Sequence, residues 1–118
     1  MDITPERIAT AYQHLANGKR LVFDAASEVA EYTNAIEDVR FVEMAQGKIG
    51  GKNEGEREGN FRAAHPDMLM TQRHSDQKLR NAKLMHDLAQ LEVDEIARTM
   101  RLLELTQTLA SVPSELTA

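Results

Sequence analysis

A glycine-rich run, Gly47-Lys48-Ile49-Gly50-Gly51-Lys52-Asn53, holds the residue types that cradle phosphate. In phosphate-binding loops, backbone N–H groups freed by glycine and a neighbouring lysine do that work. The spacing here does not suit it. Such a loop needs a glycine five residues before its Gly-Lys pair, where Gln46 stands, and a Ser or Thr after it, where Asn53 stands. No strand pattern precedes the run, so it reads as a flexible connector.

Four histidines, His14, His65, His74 and His86, raise the question of a metal. No two are four residues apart and no His-Glu-x-x-His occurs, so one helix face cannot present a pair of ligands. The chain has no cysteine, which removes disulfides and thiolate metal sites. Ser27, Ser75, Ser111 and Ser114 lie in no nucleophile elbow. Ser75 and Lys78 share a spacing with one penicillin-binding motif but lack its companions. Glu37-Asp38 and Asp94-Glu95 are adjacent on helices, so their side chains diverge. The expectation is a protein without catalytic residues, metal or cofactor.

The remaining chemistry is electrostatic. Net charge is −5, from 19 acidic and 14 basic residues, which argues against general affinity for nucleic acid. Residues 47–83 depart from that balance, with eight Lys/Arg against five Asp/Glu. Lys48, Lys52, Arg57, Arg62, Arg73, Lys78, Arg80 and Lys83 fall there, with Glu54, Glu56 and Glu58 interleaved. Such a segment can engage phosphates or an acidic protein surface, or remain a solvated, salt-bridged turn. Phe61 is its one aromatic residue, so stacking on bases has little support.

Helices must position these groups. Thr4-Pro5-Glu6 is a helix start: a hydroxyl cap, a proline at the first helical position and an acid at the positive end of the dipole. Ile8, Leu15, Val22, Val29 and Ile36 then recur every seven residues, as do Ala11, Gly18, Ala25, Tyr32 and Val39 three positions on. That is a coiled-coil seam, predicting a helix over 5–46. Asn17-Gly18 resembles a stop signal, but the heptad phase continues across it, which favours an unbroken or mildly kinked helix.

Five of the six glycines occupy positions 47, 50, 51, 55 and 59, marking a connector over 47–66. Inside it, Asn53 with Glu56 three later has the form of a cap, predicting a short helix over 54–63. Pro66 opens a second long helix over 67–110, with a fresh start at Ser75-Asp76 as an alternative. It carries two apolar stripes. Leu79, Ala82, Ala89, Val93, Ile96, Met100 and Leu103 form one; Leu84, Leu88, Leu91, Leu102, Leu105 and Leu109 form the other. One partner helix covers only one of them, so the second requires self-association.

The expected fold is therefore all-α: one helical-hairpin domain over 1–110, long, antiparallel and coiled-coil-like, with a frayed tail over 111–118. Two copies make a homodimeric four-helix bundle most simply. The start, Met1-Asp2-Ile3-Thr4, lacks the basic and apolar run of a signal peptide, and no apolar run is long enough to span a bilayer. A soluble, cytoplasmic protein without membrane contact is expected.

Gly47-Lys48-Ile49-Gly50-Gly51-Lys52-Asn53-Glu54-x-Glu56-Arg57, followed by a long helix ending in Arg101-Leu102-Leu103, resembles small uncharacterised helical-hairpin proteins of tailed bacteriophages. The likeness spans roughly residues 40–110, with Gly51 to Arg57 as its core. It implies a viral interaction protein that occupies the surface of a host or phage protein, including inhibition of a host nuclease or defence complex. The contact residues expected for a protein partner are Lys48, Lys52, Asn53, Glu54, Arg57 and Arg62. An alternative is a nucleic-acid-binding accessory of replication or recombination using Arg73, Lys78, Arg80 and Lys83. A virion assembly or scaffold component is the other.

Overall fold

The computed structural model describes residues 2–111; the expected tail beyond Ser111 lies outside the described residues. Three helices follow one another: α1 (Pro5–Ala45), α2 (Glu54–Ala64) and α3 (Pro66–Ala110). Among the described residues there is no strand. The described residues form two compact units, one from 2–19 with 84–111, the other from Arg20–Lys83. Both long helices contribute to each.

The ends of α1 follow from local hydrogen bonding. Thr4 Oγ1 accepts from Arg7 N at 3.1 Å, so the threonine caps the first turn ahead of Pro5. At the other end Lys48 N donates to Glu43 O at 2.9 Å and Gly47 N to Met44 O at 3.1 Å. This paired arrangement needs a left-handed residue after the helix, and Gly47 supplies it at φ 69. Between the caps α1 runs through Gly18 without a break, and α3 runs through Ser75-Asp76 likewise.

In the first unit α1 and α3 pack antiparallel. His14 Nδ1 lies 3.5 Å from Glu92 Oε2, while Gly18, further along α1, faces His86, further back along α3. Ala11, Val93 and Ile96 form the buried centre, with Ile3, Ile8 and Leu15 packed against it. Alanine and glycine at the seam let the two backbones approach. Met100 and Leu103 belong by sequence to the same stripe as Val93 and Ile96 but are exposed. The register explains this: α1 begins at Pro5, and α3 continues past it.

In the second unit the same antiparallel sense holds. Glu28 pairs with Lys78, and Glu43, further along α1, pairs with His65, further back along the chain. Ala25 and Ile36 of α1 and Ser75 and Ala82 of α3 are buried, while Val22, Val29 and Val39 are half-buried. Tyr32, at a seam position, remains open to solvent. Phe61 of α2 is 2% exposed and is the largest fully buried side chain among the described residues.

No helix among the described residues is long and apolar enough to cross a membrane.

Candidate functional site

The connector and α2 carry the residues expected to meet a partner, and all of them belong to the unit Arg20–Lys83. Asn53 sits in extended backbone and caps α2, its Oδ1 accepting from Glu56 N at 2.9 Å. Glu56 Oε2 reaches back to accept from Lys52 N at 2.8 Å. The two side chains thus satisfy donors at the helix start reciprocally, one residue earlier on the return leg than in the usual capping box. Asn60 Nδ2 donates to Gly50 O at 2.6 Å and ties the connector to α2. Gly51, at φ 148, lies so close to the backbone of Arg57 that an added Cβ would meet Arg57 N at 2.7 Å.

Beneath this turn is a cluster that residue spacing does not reveal. Arg40 of α1 pairs with Glu58 at 3.1 Å, and Arg62 joins the same carboxylate at 3.1 Å. The Arg40 guanidinium also lies over the Phe61 ring, 4.8 Å from its centroid. Phe61 in turn meets the His65 ring at 4.8 Å, and His65 Nε2 contacts Glu43 Oε1 at 2.7 Å. Arg40 and Glu43 come from α1, whereas Glu58, Phe61 and His65 come from α2 and its C-terminal cap. Only the fold-back of the chain joins the α1 pair to the α2 set, so no periodicity could have linked the two.

Next to the cluster is a groove of about 490 Å³. Met44, Ile49 and Phe61 give it an apolar floor, and Arg40, Arg57, Glu54 and Glu58 give it a rim of both charges. Lys48, Lys52, Asn53, Glu54, Arg57 and Arg62 are all exposed. Two of them, Glu54 and Arg57, line this groove. Arg62 is engaged by Glu58, and the amide of Asn53's side chain is oriented by its capping role.

The basic residues of α3 divide between two sides of the helix. Arg73, Arg80 and Lys83 fall on one side, with Asp76 among them. Lys78 points the other way and pairs with Glu28 of α1 at 2.9 Å. The Glu28 carboxylate, through its hydrogen bond and its charge, holds the Lys78 ammonium above the ordinary lysine pKa. Among the described residues, no three His, Asp or Glu side chains gather where a metal could be held.

A different surface stands out in the first unit. Leu84, Leu88, Leu91, Leu102, Leu105 and Leu109 of α3 are each between 52% and 74% exposed. They lie on nearly the opposite side of the helix from Ala89, Val93 and Ile96, which face α1. A protein surface seldom leaves so long an apolar stripe to water without a partner.

Compared with known proteins, the chain matches no family model, no curated protein and no solved structure.

Proposed function

We propose that the chain is a non-enzymatic interaction module that self-associates through α3 and offers the connector–α2 surface to a second protein. The observation that carries this reading is the outward leucine stripe of α3. Leu84, Leu88 and Leu91 remain largely exposed where α1 covers the opposite side of the helix, and Leu102, Leu105 and Leu109 remain so where α3 runs on past the start of α1. Burying them between copies would remove apolar area from water at about 25 cal/mol per Å². The assembly would be a homodimer of four long helical segments, two from each copy, with α3 against α3 at its centre.

The connector–α2 surface supports the second half of the reading. Its groove has an apolar floor and a rim of both charges, in which ion pairs hold Arg40 and Glu58. Such a patch fits a protein surface of complementary charge, where fixed side chains lose little entropy on docking. Under the connector's resemblance to phage proteins, that partner is a host or phage protein, and the action is occupancy of its surface.

Sedimentation equilibrium tests the first half. A concentration-dependent rise in mass from 13.2 kDa to twice that value is the expected result. A single 13.2 kDa species throughout the micromolar range overturns it. For the second half, a photo-crosslinker at Arg57 should capture a discrete protein, and the charge reversals Lys52→Glu and Glu54→Lys should abolish that capture. Capture that survives both reversals would show that the groove rim is not the contact.

A further inference from the structure

The exposed side of α3 has an order of its own. Leu84, Leu88 and Leu91 come first, Glu95 and Arg98 follow, and Leu102, Leu105 and Leu109 complete it. Successive members are separated by alternating steps of four and three residues, the a/d rhythm of a coiled coil. Read from either end, the sequence of steps is the same: three leucines, two opposite charges, three leucines. Glu95 and Arg98 are both exposed, and among the described residues neither takes part in an ion pair.

We propose that this stripe binds a second copy of the chain antiparallel, about a two-fold axis passing between Glu95 and Arg98. The proposal rests on the self-association reading and adds its register. In an antiparallel coiled coil an a residue packs against a d residue of the other helix. Here that sets Leu84 against the partner's Leu109, Leu88 against the partner's Leu105 and Leu91 against the partner's Leu102. Glu95 then meets the partner's Arg98, and the two-fold repeats the pair. Asp94 and Arg101, one residue outside the seam on the same flank, face each other across the interface in the same register.

Charge decides the orientation. A parallel dimer in register opposes identical positions, so Glu95 would meet Glu95 and Arg98 would meet Arg98 inside a leucine interface. Like charges brought together while losing water oppose association strongly. The antiparallel two-fold turns all four groups into two ion pairs. Area is adequate as well. Each half-exposed leucine has on the order of 100 Å² left to bury. Twelve of them in two copies supply roughly 1,200 Å², the lower bound for a specific dimer. The seam from Leu84 to Leu109 is roughly 38 Å long at 1.5 Å per residue.

The absence of native cysteine makes disulfide trapping direct. Leu91→Cys and Leu102→Cys chains, mixed and oxidised, should yield a covalent heterodimer, while neither chain alone should link. Their separation along the helix, about 16 Å, forbids self-linking in the antiparallel dimer. Self-linking of Leu91→Cys alone would show a parallel dimer and overturn the register. A mixture that stays unlinked while sedimentation shows dimers would also overturn it and leave self-association standing. A monomeric wild-type chain would end both readings. In a second set, Glu95→Arg should weaken the dimer on the order of a hundredfold, with helicity unchanged, because it sets Arg against Arg. The double variant Glu95→Arg with Arg98→Glu should restore it. A dimer indifferent to the single change, or not rescued by the double, would show that these positions do not meet.

Discussion

Gly18 of α1 lies against the backbone of α3 at His86: a Cβ added there would come within 3.1 Å of the His86 Cα and 3.4 Å of its Cβ. The glycine therefore permits close helix approach and does not end a helix. Two opposing effects set the outcome of substitution. Alanine gains about 1 kcal/mol of helix propensity over glycine in a helix interior. At this site the backbone of His86 must shift to admit even a methyl group.

Gly18→Ala is accordingly expected to leave stability near the wild-type value, and Gly18→Leu to lower it by about 1–3 kcal/mol through overpacking. Gly59 is the matched control, since it lies within α2 and a Cβ there meets nothing within 4 Å. Gly59→Ala should raise stability by about 0.5–1 kcal/mol. Urea unfolding of the three variants checks the order Gly59→Ala above wild type above Gly18→Leu. A destabilised Gly59→Ala would contradict open space at that position.

The cap of α2 gives a second prediction. Asn53 Oδ1 satisfies Glu56 N, and Glu56 satisfies Lys52 N. Asn53→Ala should cost about 1 kcal/mol, and Asn53→Asp should retain most of the cap. Glu56→Gln keeps an acceptor and should be milder than Glu56→Ala. Hydrogen exchange reports this locally: the Glu56 amide should exchange faster in Asn53→Ala and the Lys52 amide faster in Glu56→Ala. Equal exchange at Glu56 in wild type and Asn53→Ala would remove the cap from the account.

Much of this fold is legible in the sequence because helices declare themselves by period and by caps. The heptad Ile8, Leu15, Val22, Val29, Ile36 is the inward side of α1, and Asn53 with Glu56 marks the start of α2. The second leucine stripe of α3 is readable for the same reason, and it is exposed. What periodicity does not carry is which residues a fold-back joins. Arg40 and Glu43 are a turn apart on α1, as are Glu58, Phe61 and His65 along α2 and its cap, but no spacing links the two sets; their contacts depend on the connector's path. Gly18 was readable as either a break or a close contact, and only the approach of His86 distinguishes them.

Lys78 and Glu28 give a pH prediction. The carboxylate raises the ammonium's pKa in the folded chain. A raised folded-state value means the pair's contribution is fully present below lysine's ordinary pKa and is lost as pH climbs through the higher folded value. Lys78 is well exposed, so the contribution is small and screened by salt. NMR titration of the Lys78 side chain should give a midpoint above that of an unpaired lysine, and Glu28→Gln should bring it down. A midpoint unmoved by Glu28→Gln would show that the pair does not persist in solution.

The two sides of α3 should respond oppositely to the same insult. Ile96 is 2% exposed and packs with Ala11 and Val93, so Ile96→Asp buries an unpaired carboxylate and empties part of the core. Loss of helical signal, or destabilisation above about 3 kcal/mol, is expected. Val29 is half-buried, and Val29→Asp should be milder, because its carboxylate can reach water. Leu91 is exposed, and Leu91→Asp should change the monomer's stability by no more than about 0.5 kcal/mol. The comparison must be made at dilution, since loss of a dimer would itself lower apparent stability at high concentration. At high concentration Leu91→Asp should sediment as a folded 13.2 kDa monomer. A Leu91→Asp chain that unfolds at dilution would mean the stripe is part of the monomer's own core, and α3 would then have no free side to offer.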